Sequence, residues 1–356
     1  MAGSLPNVEG IDLSVLQDLV TKVVGYVGPS SVSPMPGGAS TRKFFRVEMK
    51  GNGPCAAVAF FVPDATRSDE IDKTDGRRHV WPFIEVHGLL RERNVAVPDI
   101  LVDGSDRGWL IVEDLGDDTL AAYLARKPET KEICYRVAVT DLAKAQRSLA
   151  SLPEASVIGR RAFDEDLLAW EIHHFREWAL EARDIHLSAA DREIFDGVAT
   201  RLARRIASWS RGFVHRDYQS RNLMVREVNG APQLVWIDFQ DALLGPRVYD
   251  LVALLNDSYQ TFDRAFVEAR LDDFANEAGM SASDRELLGR EFDLVTVQRK
   301  LKDAGRFIFI DRQKGNPGFL PFVEPTIAKA RASLDRLQDD EDMRALAAVL
   351  QRALGG

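Results

Sequence analysis

The chain has 356 residues, enough for about two domains with a sizeable core, and its formal net charge of −9 speaks against a general nucleic-acid binder, which carries a basic face. Cys55 and Cys134 are too few and too far apart for a zinc site or a disulfide framework, and are expected as two buried thiols in a reducing compartment. No apolar run approaches the ~18 residues of a membrane span, the longest being residues 55–62, and no basic region followed by an apolar core opens the chain, so a cytoplasmic protein with no membrane or nucleic-acid partner is expected.

In chain order, Leu13, Leu16, Leu19, Val20, Val23, Val24 and Val27 recur at helical spacing, and Gly28-Pro29 stops that helix. Residues 36–41 read as a glycine-containing turn, followed by a predicted strand at 42–49 with Arg42, Phe44, Arg46 and Glu48 on one face. A second strand is predicted at 55–62, after the Gly51-Asn52-Gly53 turn. Glycines such as Gly37 and Gly38 let backbone N–H groups approach phosphates, although Gly-Gly turns are more often plain hairpin connections. Residues 63–80 are polar and read as a long loop or a lid.

Pro82 opens a helix that runs through Leu90, and strands are predicted at 95–102 and 109–112. The acidic turn at 113–118 is the expected domain boundary, dividing a small sheet domain (1–115) from a mostly helical one (116–356). Beyond it, Leu167, Leu168, Glu171, Ile172, Phe175, Trp178 and Ala179 make a helical stripe. Ser188 with Asp191 and Ser283 with Glu286 resemble capping boxes. Trp170, Trp178 and Trp209 are expected in the core, and His173 and His174 as ordinary helix residues.

One stretch breaks the helical pattern. From Phe213 to Asp250 the chain reads FVHRDYQSRNLMVREVNGAPQLVWIDFQDALLGPRVYD. Short apolar runs there flank Asp217, Asn222 and Asp238, with a turn at Asn229-Gly230 between the last two. One carboxylate to orient a hydroxyl, with an amide and a second carboxylate to hold magnesium, are the parts of a phosphoryl-transfer site.

HRDYQSRN followed by VWIDFQDALLGPRVYDL resembles the Brenner-type motif of the aminoglycoside phosphotransferase and choline kinase superfamily, relatives of the protein kinases. Within it the chain is most similar to the bacterial anomeric N-acetylmuramate/N-acetylglucosamine kinases of cell-wall recycling. The likeness extends to residues 39–46, 82–90 and 298–307, so it spans both halves of the chain. The resemblance implies an α+β, bilobal, protein-kinase-like fold with a small antiparallel-sheet N-lobe and a mostly helical C-lobe.

It further implies that Asp217 is the catalytic base and that Asn222 and Asp238 hold Mg2+. His215 is expected to pack the loop and Asp250 to anchor it through hydrogen bonds. Gly37, Gly38 and Ser40 would cradle ATP phosphates, and the backbone of Glu113 and Leu115 would pair with the base. The chain departs from the pattern in one respect: the strand at 55–62 has no Lys to hold the phosphates. Either the protein is a pseudokinase that only binds, or Arg42 and Arg46 stand in, which is the preferred reading. Arg221, Asp241 and Arg299 are candidate acceptor contacts, each equally suited to a fold-holding ion pair. The expected activity is that of a monomeric ATP-dependent kinase of an anomeric sugar hydroxyl, with an aminoglycoside phosphotransferase or another small-alcohol kinase as the alternative.

Overall fold

The computed structural model describes residues 11, 13–28, 30–35, 42–62 and 81–355. Gly37, Gly38, Ser40 and the loop at 63–80 lie outside the described residues. Five antiparallel strands open the fold: β1 (Ser31–Pro34), β2 (Lys43–Glu48), β3 (Ala56–Phe61), β4 (Ile100–Gly104) and β5 (Trp109–Glu113). They form one sheet in the order β1-β2-β3-β5-β4. Period-two alternation decides its faces. Phe45, Val47, Trp109 and Ile111 point to one side and pack under helix α1 (Leu13–Val20). Phe60, Leu110 and Val112 point to the other, against Trp81 and helix α2 (Pro82–Glu92).

Helix α2 also reaches beyond the sheet. Its Phe83 ring lies 4.8 Å from that of Phe239, the residue after Asp238, and its Glu85 accepts a 2.6 Å hydrogen bond from the Val157 backbone N–H.

The rest is mostly helical: α3 (Leu120–Arg126), α4 (Lys131–Ser148), α5 (Glu165–His174), α6 (Ala189–Ala207), α7 (Tyr249–Leu255), α8 (Arg264–Glu277), α9 (Ala282–Lys314), α10 (Val323–Arg336) and α11 (Glu341–Leu354). The α+β class, a small antiparallel sheet followed by a mostly helical remainder, is as expected. Helix α9, 33 residues long, is buried along its middle. Gly305 permits its crossing with α5, since a Cβ there would sit 2.6 Å from the His174 carbonyl oxygen.

Several expectations need correction. Helix α1 ends at Val20; the chain turns at Gly25 (φ 82°), leaving Val24 and Val27 exposed. Strand β1 was not foreseen, being too short and polar for period-two reading. Strand β4 starts at Ile100 rather than at 95, because residues 95–98 pair elsewhere: Ala96 C=O accepts from Trp236 N–H and Pro98 C=O bonds the His87 ring. Ser188 caps α6 as read, but α9 is capped by Ser281, whose hydroxyl accepts the Asp284 N–H, and not by Ser283. Trp170 is 47% exposed, and Cys55 is exposed while Cys134 is buried.

Candidate active site

Two hairpin-like pairings place two loops side by side. Strand β6 (Arg211–Val214) pairs with β9 (Leu243–Pro246), and β7 (Leu223–Val228) pairs with β8 (Ala231–Trp236). The β7–β8 turn has positive φ at both Asn229 (54°) and Gly230 (79°), as a two-residue type I′ connection requires. The loop at 215–222, between β6 and β7, therefore meets the loop at 237–242, between β8 and β9. The Ile237 N–H donates to the Asn222 carbonyl at 3.0 Å and joins them.

The first loop is held from below. Asp250, fully buried on α7, accepts the backbone N–H groups of His215 (2.6 Å) and Arg216 (3.0 Å). Burial pushes the Asp250 carboxyl up to about 7 despite these donors. Arg216 adopts φ 80°, a left-handed conformation costly for a side-chain-bearing residue. It is held there because Arg299 donates to its carbonyl at 2.8 Å while Asp250 takes its N–H. The His215 ring is buried against Tyr218 and Trp236, and burial lowers it to about 4, so it is a neutral packing group.

Asp217 emerges from this frame with its side chain 34% exposed and Oδ1 3.5 Å from Arg299 Nη2. Burial alone would raise its carboxyl, but the cations of Arg299, Lys302 and Arg216 outweigh that and keep it below the usual range. Asn222 donates its Nδ2 to the Asp217 carbonyl at 2.9 Å, which leaves its Oδ1 as the acceptor end. In the second loop Asp238 also has a left-handed backbone (φ 62°), and burial raises its carboxyl although Arg42 opposes the shift. Its Oδ1 accepts from Gln240 (3.0 Å) and Arg42 (3.3 Å). The structure thus gathers Asp217, Asn222, Asp238 and Arg42.

The other nominated residues part company. Arg46 shares the face of Arg42, but its guanidinium lies on Asp114 (2.8 Å) and Asp117 (2.8 Å) in the segment between β5 and α3. Glu113 directs its side chain to Arg226 (2.6 Å), and Leu115 is half-buried in that same segment. Arg299 is only 2% exposed, stacks on Tyr249 and bonds the Arg216 carbonyl. The expectation of an acceptor contact is therefore corrected to its alternative, a fold-holding cation. Asp241 is half-buried and accepts from Gln240 at 2.9 Å, while Arg221 is exposed.

Strand β3 contributes Ala56–Phe61 and no cation, and of the two glutamates of α2, Glu85 is engaged with Val157 while Glu92 is exposed at the end of the helix. The Lys–Glu pair of protein kinases therefore has neither partner in place. Sequence reading missed Asp257, which accepts the N–H and hydroxyl of Ser220 together with the Tyr259 N–H. It also missed Lys300 and Lys302, which flank Asp303 on α9. Asp257 could have been suspected from its position in a turn after a helix, and the lysines from their place in the stretch at 298–307 that carries the family likeness.

The phosphotransferase enzyme family model matches residues 31–286. An N-acetylmuramate/N-acetylglucosamine kinase of Pseudomonas putida is 29% identical over 92% of this chain and 90% of its own length. Its Pseudomonas aeruginosa counterpart is 32% identical over 83% and 81%. Among solved structures, a microcompartment-associated aminopropanol kinase superposes with TM-score 0.60 at 15% identity, covering 94% of this chain and all of its own. The GDP complex of aminoglycoside 2′-phosphotransferase-IIIa gives 0.59 at 16%, covering 88% and 97%. These likenesses bear on fold alone and agree with a protein-kinase-like architecture. No helix among the described residues is long and apolar enough to cross a membrane. With the family match across most of the chain and relatives alike over nearly its full length, the chain belongs to the phosphotransferase enzyme family, as a nucleotide-using enzyme with a small-molecule acceptor.

Proposed function

We propose that this enzyme transfers the γ-phosphoryl group of ATP to the anomeric hydroxyl of N-acetylmuramate, N-acetylglucosamine or both, yielding a sugar 1-phosphate. The observation that carries the chemistry is the convergence of Asp217, Asn222 and Asp238 on two loops joined through Ile237 and Asn222. The names of the relatives, alike over four fifths or more of the chain, support the acceptor.

In this reading Asp217 accepts the hydrogen bond of the attacking hydroxyl and holds it in line with the γ phosphorus. An anomeric hydroxyl is more acidic than an ordinary alcohol, so a carboxylate held below its usual range is base enough. Asn222 and Asp238 offer one amide oxygen and one carboxylate. That hard, sparse donor set fits magnesium, which retains waters and shares phosphate oxygens, and among the described residues no cluster of three His, Cys, Asp or Glu side chains offers a fuller cage. Bound there, the ion would neutralise charge on the triphosphate. Arg42, reaching across to Asp238, takes the phosphate-gripping place of the absent Lys, and Arg46 braces the segment that follows β5. Gly37, Gly38 and Ser40 are assigned to the phosphates, and the backbone of Glu113 and Leu115 to the adenine.

Asp241 and Arg221 face the acceptor. The boundary between sheet lobe and helical lobe falls at residues 115/116, and the enzyme works as a cytoplasmic monomer, where ATP is supplied. A polycationic aminoglycoside would call for an acidic acceptor pocket, whereas the exposed side chain at Arg221 in the catalytic loop is a cation. The test is a coupled ATPase screen over N-acetylmuramate, N-acetylglucosamine, glucosamine, choline and kanamycin. Turnover on the two N-acetylated sugars is expected; no ATP consumption with any acceptor would leave a binding module instead.

A further inference from the structure

Arg221 lies four residues beyond Asp217, in the same loop, and is exposed. Its guanidinium carbon sits 3.5 Å from the centroid of the Tyr259 ring and 5.6 Å from that of Phe322. A guanidinium stacked this closely keeps its N–H fork in its own plane, directed past the ring edge. Among the described residues it makes no hydrogen bond or ion pair. The aromatic support is itself braced: Phe322 meets Tyr259 edge-on at 4.8 Å, and Phe307 lies 6.4 Å from Tyr259 and 5.7 Å from Phe319.

The two sides of this stack share one anchor. Asp257, fully buried, accepts the N–H (2.9 Å) and hydroxyl of Ser220, the neighbour of Arg221, and the N–H of Tyr259 (3.0 Å). Lys329 donates to the carbonyls of Asp257 and Gln260, closing the turn that carries Tyr259. One carboxylate thus sets both the cation and the ring that orients it, beside the catalytic loop.

The geometry points to Arg221 as the reader of a carboxylate on the acceptor, with Tyr259 as the positioning residue that holds its fork in place. This rests on the sugar-kinase reading above and extends it. The acceptor class it favours is an acidic amino sugar, one bearing a carboxylate on a short ether arm, over its neutral counterpart. A planar fork suits a carboxylate bidentately, and a site built for that pairing discriminates against an acceptor lacking the group.

The experiment compares kcat/KM for N-acetylmuramate and N-acetylglucosamine in the wild type, R221Q, R221K, Y259L and Y259F. In R221Q the ratio of N-acetylmuramate to N-acetylglucosamine should fall by roughly 10- to 100-fold, carried by KM for N-acetylmuramate. R221K should recover only part of it, because an ammonium keeps the charge without the stacked fork. Y259L should lower the ratio in the same sense, and Y259F should restore it, since the ring face rather than the hydroxyl does the orienting. Wild-type enzyme given N-acetylmuramate amidated at its carboxylate should behave like R221Q given the acid. Equal losses on both sugars, or an unchanged ratio, overturn the assignment while leaving the kinase reading intact. A wild type that phosphorylates neither sugar overturns both.

Discussion

Nη2 of Arg42 lies 3.3 Å from Oδ1 of Asp238, linking residues 196 positions apart across the cleft between the sheet and the β8–β9 loop. If Arg42 takes the phosphate-gripping place proposed for it, R42A should raise the KM for ATP by roughly tenfold, the loss of one charge-assisted contact, with a much smaller effect on kcat. Steady-state kinetics with ATP varied measures this. An unchanged KM removes Arg42 from the phosphates.

Arg46 should respond differently. Its guanidinium is 26% exposed and engages Asp114, which is 9% exposed, and Asp117. R46A should therefore cost about 1–2 kcal/mol in denaturant unfolding through lost hydrogen bonds. If R46A instead matched R42A in KM and unfolded like the wild type, Arg46 would be gripping phosphate.

Replacing Asp217 by Asn keeps the shape of the loop, because Arg299 still bonds the Arg216 carbonyl and Asp250 still binds the two N–H groups. The expected effect of D217N is a fall in kcat of about 10²- to 10⁴-fold, the usual range for a positioned proton acceptor, with the KM for ATP little altered. Full turnover in this variant would show that another group takes the proton.

Asp250 should matter to both stability and activity. D250N can satisfy only part of what the carboxylate does, leaving one buried N–H without an acceptor at about 1–3 kcal/mol. It also loosens the left-handed backbone at Arg216 that presents Asp217. Urea unfolding and kcat should fall together; a stable, fully active D250N contradicts the anchoring role.

His215 sets an acid limit. Its folded value of about 4 lies below the 6.5 of an unstrained imidazole, so between these values the unfolded chain binds the extra proton. The contribution is present above pH 6.5 and is lost as pH falls toward 4, up to about 3 kcal/mol at 1.36 kcal/mol per unit. Unfolding of H215L against pH should therefore be flatter than that of the wild type over this window. Parallel curves would mean His215 is not the group responsible.

Much of this site was legible in one dimension. Asp217, Asn222 and Asp238 stand at short, fixed spacings around strand signals, and the Asn229-Gly230 turn forces the hairpin that brings the second loop to the first. The same holds for strands β2, β3 and β5, where short apolar runs bounded by turn residues announce a sheet packed on both faces. Local pattern was weaker where chain ends of elements depend on distant partners. Residues 95–98 have strand-like composition yet pair with Trp236 and His87 rather than with a ladder, and α1 stops when the turn at Gly25 packs against Gly53.

By itself, the sequence indicated most of the elements and nominated the transfer residues, because periodicity and short spacings are written locally. Only the tertiary structure decided what the long side chains do. An arginine's reach spans several possible partners, and burial selects among them. It seats Arg299 under the catalytic loop, turns Arg46 to Asp114 and Asp117, brings Arg42 to Asp238, and leaves Arg221 exposed on Tyr259. Four cations that read alike in sequence differ because the folded chain gives each a different distance to water and to a carboxylate.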